Sequence, residues 1–317
     1  MILRARPYRS VDELERMRRL VMVGTKAGIS ASYLHPGSLD WATHYPPADR
    51  ALHDNLRLWE RIDTEQPRLV AWAIFAHNEQ SFDLFVHPTL YGTRHHESVM
   101  DEYVAWAEAR ARVLGLREMR PFWAMEYDKV LARLHEAHGY VDVKAEPAAP
   151  LFERSLEKLP PIELPPGFTL RTVKDSEDGR QRAAATYGAF QLRGDWQEYA
   201  AEYARFMASS VYDGERDLFV CSPDGRGASA CTIWFDPINK VGLFEPVGTH
   251  PDYQRRGLGK AVMAEGLRRM KAAGMQRAIV GFDPNNVAAQ ALYTAMGFRA
   301  TAYFTFPEKE LPQDEGI

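Results

Sequence analysis

A proline-rich segment divides this chain into two parts of similar length. Residues 157–167 read EKLPPIELPPG, with four prolines in eleven positions. Proline fixes φ and lacks an N–H group, so this segment forms neither a helix nor a central strand and stiffens a connection. A chain of 317 residues also suits two domains of ordinary size. We therefore predict a first domain at 1–156, a linker at 157–167 and a second domain at 168–317.

The same order of predicted elements occurs on both sides of the linker. The first half is predicted to have a strand at 3–5, helices at 11–27 and 48–59, and strands at 58–62, 69–76 and 82–86. The second half is predicted to have a strand at 168–173, helices at 181–190 and 196–209, and strands at 218–221, 228–235 and 241–247. Short polar turns such as Asp224-Gly225 are typical of antiparallel hairpins.

Both halves then continue with a helix, a strand and a helix that ends in a glycine and an aromatic residue. These pairs are Gly139-Tyr140 and Gly297-Phe298, and each glycine fits a left-handed helix C-cap. The order indicates an internal repeat of roughly 160 residues. We predict an α/β fold with two tandem domains, each a central mixed, mostly antiparallel sheet flanked by helices.

Charge and hydropathy exclude several classes of partner. The net charge is −4, so no overall basic field favours nucleic acid or an anionic membrane. The longest apolar run, 69–76, is too short to span a membrane, and the N-terminal residues lack the apolar core of a signal peptide. Cys221 and Cys231 are expected to be buried thiols, with a contact between neighbouring strands as the alternative. The expected location is the cytoplasm.

A glycine-containing turn follows the strand at 241–247. Residues 254–259 read QRRGLG and lead into a helix predicted over 258–273, which turns Leu258, Val262 and Leu267 toward a core. The first N–H groups of a helix lack internal partners, and its dipole favours negative charge there. Glycines allow close backbone approach or an unusual φ, and three basic side chains add positive charge. The pattern predicts a pyrophosphate site that includes Gly257, Gly259, Arg255, Arg256 and Lys260.

Two common nucleotide-binding loops fail at specific positions. A dinucleotide-binding turn needs a small residue three positions after Gly259, where Val262 stands. A Walker A loop needs glycine at 254 and serine or threonine at 261, and the chain has Gln254 and Ala261. The pyrophosphate therefore belongs to another kind of ligand.

Two motifs together resemble the GNAT superfamily of acetyl-CoA-dependent N-acetyltransferases. The turn at 254–259 is similar to the family's Gln/Arg-x-x-Gly-x-Gly/Ala motif, which binds the coenzyme A pyrophosphate. Some thirty positions later the chain carries the family's second pattern, Asn286-x-x-Ala289-x-x-Leu292-Tyr293-x-x-x-Gly297-Phe298. The resemblance covers nearly the whole second half, and the complete chain looks like the tandem two-domain type.

The resemblance implies an N-acetyltransferase. It would move an acetyl or other short acyl group from acetyl-CoA to a primary amine of a small, unidentified acceptor, by direct attack in a ternary complex and without a metal. The alternative is a non-catalytic sensor that binds acyl-CoA and regulates a partner, and a third class is a purely structural module. No nucleic acid or membrane partner is expected, and the chain would be a monomer or a homodimer.

The resemblance also assigns residues to the donor site. Tyr293 matches the tyrosine that protonates the thiolate, with core packing as the alternative role. The Val247 N–H is the candidate oxyanion donor, and Pro246 suits a place where two strands separate because it cannot donate to a ladder. Asn286 would orient the cofactor arm or cap its helix. The residues expected to bind acetyl-CoA are Val247, Gly248, Thr249, Gln254, Arg255, Arg256, Gly257, Leu258, Gly259, Lys260, Asn286 and Tyr293.

Glu245 is the candidate general base. Strand alternation would place it on one face with Leu243 and Val247, where burial would raise the pKa of its carboxyl group toward the range that a base needs. An ion pair with an arginine is the alternative role for Glu245, and His250 is a weaker alternative base. Residues 191–196 are the candidate contacts for the acceptor.

The first half reads as a degenerate copy. Alignment of His87-Pro88 with His250-Pro251 sets 89–97 against the glycine turn, with His95 and Glu97 opposite the two glycines and His135 opposite Tyr293. A Cβ at these positions would block the phosphate site. The first domain is therefore expected to be structural and cleft-forming, with one acetyl-CoA per chain. The histidines lack metal-ligand spacing.

Overall fold

The chain forms two compact units. The computed structural model describes residues 1–27, 34–45, 52–76, 80–143, 148–192 and 194–311. Unit 1 comprises Met1–Thr43, Asp49–Pro150 and Ala302–Ile317, and unit 2 comprises His44–Ala48 and Leu151–Thr301.

Both halves of the described chain contain helices and strands. Before the proline-rich segment they are β1 (Leu3–Pro7), α1 (Asp12–Lys26), α2 (Pro36–His44), α3 (Leu52–Asn55), β2 (Leu56–Arg61), β3 (Arg68–Ala76), β4 (Ser81–Val86), α4 (Arg94–Val113), β5 (Glu118–Met119), α5 (Lys129–Ala137), β6 (Val141–Asp142) and β7 (Pro150–Ser155). After it they are β8 (Thr169–Thr172), α6 (Ser176–Ala189), α7 (Trp196–Met207), β9 (Asp217–Cys221), β10 (Gly227–Asp236), β11 (Val241–Thr249), α8 (Leu258–Ala272), β12 (Arg277–Gly281), α9 (Val287–Ala295), β13 (Arg299–Tyr303) and β14 (Pro307–Glu310).

Unit 1 contains a four-stranded antiparallel sheet in the order β1-β2-β3-β4 and a three-stranded sheet in the order β5-β14-β6. Side chains of β3 alternate between the two faces of the larger sheet. Trp72 and Ile74 pack in a core with α1, whereas Ala71, Ala73 and Phe75 pack in a second core with α4. Helices therefore cover both faces.

Unit 2 is built on a seven-stranded sheet in the order β13-β7-β12-β11-β10-β9-β8. Strands β11 and β12 are parallel, and the pairs of β12 with β7, β10 with β11 and β9, and β8 with β9 are antiparallel. Helix α8 packs on one face through Leu258, Val262 and Leu267, which are all buried as predicted. Helix α6 packs on the other face, where Ala185 contacts a smaller core that includes Phe219.

Two strands belong to a sheet whose other strands come from the other half of the chain. Strand β7 precedes the proline-rich segment but pairs with β12 in unit 2. Strand β14 lies near the end of the chain but pairs with β5 and β6 in unit 1. The compact units therefore differ from the predicted ranges 1–156 and 168–317 at these strands. Residues 157–167 between the halves contain neither helix nor strand.

The predicted helix at 48–59 is wrong for its second half. Residues Leu56–Arg61 form β2, which pairs with both β1 and β3, and tertiary pairing overrides the local helical pattern there. Residues 46–51 lie outside the described part of the chain. Helix α2 was not predicted; it begins at Pro36, which suits the first turn of a helix.

The two cysteines are free and buried. In the β9–β10 ladder Cys221 lies opposite Gly227 and Cys231 lies opposite Leu218, so the two thiols are not cross-strand partners. No helix of the described residues has the length and hydropathy that a membrane span requires.

Candidate active site

Strands β11 and β12 separate part-way along their length. Their parallel ladder contains three residue pairs, and the last joins Leu243 to Ile279. Beyond that point β11 continues to Thr249 in a ladder with β10 alone, among the described strands. Pro246 lies in this stretch, where its missing N–H group costs no ladder hydrogen bond. The structure thus has a gap between the strands beside Pro246, as the sequence predicted.

A β-bulge in β11 lies at the same place. The register between β10 and β11 includes Cys231↔Val247 and Ile233↔Phe244 and shifts between these pairs. Two residues of β11, Glu245 and Pro246, therefore oppose a single residue of β10. Such an extra residue bends a strand and changes which face the following side chains occupy.

The bulge overturns one expectation about Glu245. Phe244 belongs to the core on the α8 side of the sheet, and Val247 packs against that same core. Leu243 precedes Phe244 and faces the other side, so Leu243 and Val247 do not share a face. Glu245 itself is half-buried, and its carbonyl oxygen accepts a hydrogen bond from Trp234 Nε1 at 2.8 Å.

The end of α6 packs directly against β11 beside the gap. A Cβ at Gly188 would lie 1.9 Å from the His250 ring, and a Cβ at Gly248 would lie 2.7 Å from that of Ala189. The two glycines permit this close approach. His250 Nδ1 accepts the Asp252 N–H at 3.3 Å, so this histidine caps the turn that follows β11.

The turn before α8 leaves the start of that helix uncapped. Gly257 is the N-cap residue, with φ +82°, and no side chain caps the helix. The first intrahelical bond runs from the Ala261 N–H to the Gly257 oxygen, so the preceding N–H groups of the helix have no partner within it. A left-handed φ is the reason for glycine at 257, because a Cβ there would meet no other atom within 4 Å.

Gly259 has a different role from Gly257. It is buried in the first turn of α8, and a Cβ there would lie 3.3 Å from both Leu292 Cδ2 and Thr249 Oγ1. The absent side chain therefore lets α8 pack closely on α9 and β11. From the sequence, both glycines were expected for close backbone approach or an unusual φ; the structure shows the unusual φ at Gly257 and a close packing contact at Gly259.

Positive charge surrounds this helix start. Arg255, Arg256 and Lys260 are exposed and form no ion pair among the described residues. Gln254 Nε2 donates to the Thr249 oxygen at 3.2 Å, and Arg256 Nη2 donates to the Asp252 oxygen at 3.3 Å. Free N–H groups, the helix dipole and three cations together suit a polyanionic group such as a pyrophosphate.

Tyr293 lies on α9 in the same core as Met296 and Phe298 and is 5 % exposed. Its ring contacts those of Phe282 and Phe298, with centroids 5.3 and 6.2 Å away. Burial raises the pKa of its hydroxyl above the ordinary value. The ring is therefore packed in the core, and the hydroxyl holds its proton at neutral pH. Asn286 caps α9, since its Oδ1 accepts the Ala289 N–H at 3.0 Å.

A buried polar network below the site was not predicted from the sequence. Arg182 of α6 and Asp217 of β9 are both fully buried and form an ion pair of 2.6 Å. Arg182 Nη2 also donates to Thr232 Oγ1 at 2.6 Å, and the hydroxyls of Tyr203 and Tyr212 donate to Asp217. The network fixes α6 to the sheet. The sequence feature that could have indicated this network is Arg182, an arginine next to alanines on the apolar face of a predicted helix.

The corresponding strands of unit 1 are arranged differently. The β3–β4 register runs without a shift through Asp83, so β4 has no bulge. Asp83 Oδ1 accepts the N–H groups of Phe122 and Trp123 at 2.8 and 2.9 Å. A carboxylate thus joins β4 to the chain that follows β5.

The helix start in unit 1 is also capped. Thr93 is the N-cap of α4, and its hydroxyl oxygen accepts the His95 N–H at 3.3 Å. By helix position Thr93 and His95 correspond to Gly257 and Gly259, so the predicted alignment of His95 and Glu97 with the glycines is two residues off. His135 is buried, and burial lowers the pKa of its ring to about 3. Within the described ranges no group of three or more His, Cys, Asp or Glu residues could hold a metal.

Comparison with known proteins points to one family. Residues 183–298 match the model of the Acetyltransferase (GNAT) family. The mycothiol acetyltransferase of Saccharomonospora viridis is 26% identical over 232 residues, which is 70% of this chain and 72% of that protein.

Two solved structures have a similar fold over nearly the whole chain. A tandem GNAT protein from the clavulanic acid biosynthesis pathway superposes with a TM-score of 0.68 at 17% identity and covers 99% of this chain and 100% of its own. A GCN5-related N-acetyltransferase from Sphaerobacter thermophilus gives a TM-score of 0.62 at 19% identity and covers 99% and 98%. Both glycine-containing motifs lie within the matched residues 183–298. Residues 183–298 are therefore a GNAT domain, the domain of an acyltransferase, and the chain has the fold of tandem GNAT proteins over nearly its whole length.

Proposed function

We propose that this acyltransferase moves an acetyl or other short acyl group from acetyl-CoA to a primary amine of a small acceptor. The observation that carries the proposal is the gap between β11 and β12, which opens beside the uncapped, basic start of α8. The gap suits an extended thioester arm, and the helix start suits a pyrophosphate. A ligand that needs both at once matches acetyl-CoA.

Donor binding would use the backbone more than side chains. The pyrophosphate would lie against the first N–H groups of α8, with charge supplied by Arg255, Arg256 and Lys260. The arm would extend along the edge of β11 from Thr249 toward Val247, where the ladder with β12 has ended. Gln254 would keep the turn closed through its hydrogen bond to the Thr249 oxygen.

The chemistry needs three kinds of assistance. The amine nitrogen attacks the thioester carbonyl carbon, the C–S bond breaks, and one proton passes from the amine to solvent or base while another reaches the thiolate. The Val247 N–H would stabilise the developing oxyanion, and Tyr293 would donate to the thiolate. Glu245 would accept the proton of the amine, which at a pKa near 10.4 costs about 4 kcal/mol to remove at neutral pH.

Direct transfer is favoured over an acyl-enzyme on cysteine. Cys221 and Cys231 are both buried, and burial raises the pKa of each thiol. Since the thiolate is the nucleophilic form, neither residue suits an acyl carrier. This supports attack by the amine in a ternary complex.

The competing function is a sensor that binds acyl-CoA without catalysis. A sensor needs neither a proton donor nor a base, whereas this chain has Glu245 in the part of β11 beyond the β12 ladder and Tyr293 on α9 as candidates for the two roles. The test is acetyl-CoA-dependent thiol release, followed with a thiol reagent, across a panel of primary amines that includes the acceptor of the mycothiol acetyltransferases. We expect release to depend on one class of amine. Tight acetyl-CoA binding by calorimetry without amine-dependent release would favour the sensor.

A further inference from the structure

Arg154 of β7 contacts the end of the helix that carries Tyr293. Its Nη1 donates to the Met296 oxygen, its Nη2 donates to the Lys158 oxygen, and its Nε donates to the Ser155 oxygen at 3.1 Å. Strand β7 precedes the proline-rich segment, so the first half of the chain supplies this arginine to unit 2.

The Met296 oxygen is one of the carbonyls that a helix end leaves without an internal partner. Met296 is the C-cap residue of α9, and Gly297 follows with φ +83°. A guanidinium at a helix C-terminus both bonds such a carbonyl and complements the negative end of the dipole. The left-handed φ is the reason for glycine at 297, and a Cβ there would lie 3.5 Å from Arg154 Nη1, which is an ordinary contact distance.

A second contact runs through an aromatic ring. The Arg154 guanidinium lies 5.9 Å from the centroid of the Phe298 ring, and the Tyr293 ring meets Phe298 at 61° in an edge contact. The Phe298 N–H also donates to the backbone carbonyl oxygen of Tyr293 at 3.0 Å. Arg154 therefore touches both the helix end and the ring that hold Tyr293 in place.

We propose that Arg154 is a positioning residue for Tyr293. It holds the C-terminal turn of α9 and the Phe298 ring, and these fix where the Tyr293 hydroxyl points. The proposal rests on the proton-donor role of Tyr293 given above. Misplacement of a reacting group by about 1 Å can cost up to roughly a hundredfold in rate, so a remote contact of this kind has a measurable effect on kcat.

The test is a double-mutant cycle in the full chain. Arg154→Met should lower kcat by about tenfold while the Kd for acetyl-CoA, measured by calorimetry, changes by less than about twofold. In a Tyr293→Phe background the same substitution should lower kcat by no more than about twofold, because there is no hydroxyl left to position. Arg154→Lys keeps the positive charge but lacks the planar set of N–H donors of the guanidinium, so it should recover part of the kcat that Arg154→Met loses.

A matched control is Arg277→Met, since Arg277 of β12 pairs with Glu153 of β7 at 2.9 Å and touches neither Met296 nor Phe298 in any described contact. This variant should leave kcat unchanged. An equal loss from Arg154→Met in both backgrounds would overturn positioning and leave the role of Tyr293 intact. An unchanged kcat in Tyr293→Phe would overturn both the proton-donor role of Tyr293 and the positioning role of Arg154. Absence of thiol release with every amine would instead reject the proposed function. If Arg154→Met does not fold, Arg154→Lys takes its place in the cycle.

Discussion

At the scale of single residues, Tyr293 is both a core residue and a candidate proton donor. Burial raises the pKa of its hydroxyl, which makes the phenol a weaker acid but keeps it protonated at any working pH. A thiolate is a good leaving group, so a hydrogen bond from a fixed phenol already assists its departure. Core packing and proton donation are therefore compatible roles for Tyr293. Packing needs the ring, whereas proton donation needs the hydroxyl.

We expect Tyr293→Phe to lower kcat by about ten- to a thousandfold with little change in the Kd for acetyl-CoA, because the ring still fills the core while the proton donor is lost. Steady-state thiol release and calorimetry give the two quantities. Tyr253→Phe is the matched control: Tyr253 is buried in the same core, and its hydroxyl has no partner among the described residues. An unaltered kcat in Tyr293→Phe would remove the acid role.

Glu60 makes unit 1 sensitive to acid. It is 4 % exposed and bonds Arg6 at 2.8 and 2.9 Å, and this pairing lowers the pKa of its carboxyl to about 2. A depressed pKa gives stability that is present above the unfolded value, near 4.5, and lost as pH falls toward 2. At about 1.4 kcal/mol per pKa unit, the contribution is on the order of 3 kcal/mol.

Glu60→Gln should therefore destabilise unit 1 by about 3 kcal/mol at pH 7. The deficit should shrink steadily between pH 4 and pH 2, because the native carboxyl is then protonated too. Urea titrations followed by tryptophan fluorescence at several pH values measure it, since Trp59 and Trp72 are both buried in this unit. A deficit that is constant with pH would mean that shape and not charge is responsible.

At the scale of elements, the start of α8 is the part of the site that charge dominates. Asparagine and aspartate have the same shape and both tolerate a left-handed φ. Gly257→Asn and Gly257→Asp should therefore cost similar stability, but the aspartate should weaken acetyl-CoA binding by at least about tenfold more, because it sets a negative charge at the helix N-terminus. Calorimetry on both variants measures this, and equal affinities would argue against an anion at this turn.

The same scale separates what the sequence could predict from what it could not. Periodicity predicted α8, the glycine-aromatic pair Gly297-Phe298 predicted the end of α9, and Pro246 together with the family resemblance predicted the gap beside it. The bulge at Glu245 could not be read from alternation, since one extra residue moves Val247 to the opposite face. The partners of β7 and β14 were equally hidden, because a strand pattern does not say which sheet the strand joins. The Arg182–Asp217 pair depends on two distant residues that only the fold brings together.

At the scale of the whole molecule, the two units have the same kind of elements but opposite states of the site. The gap in unit 2 is open and bulged, whereas β4 of unit 1 has no bulge and Asp83 joins it to the chain that follows β5. The α8 start is uncapped, whereas Thr93 caps α4. We therefore expect one acetyl-CoA per chain.

Calorimetric titration of the full chain with acetyl-CoA should give a stoichiometry of one. Gly257→Asp should weaken that binding without a second phase from unit 1, because Thr93 caps the corresponding helix start there. Two sites per chain, or binding that survives Gly257→Asp unchanged, would contradict this assignment.

The placement of β7 and β14 also constrains how the gene can be divided during evolution. Each half of the gene encodes a strand of the sheet whose remaining strands come from the other half, so a break at the proline-rich segment would take a strand from both sheets at once. A first half without a donor site of its own would still be retained, because deletion of its coding sequence would remove β7, and with it Arg154, from unit 2. The two halves can therefore diverge in chemistry, but neither can be separated from the other without the loss of a strand from both sheets.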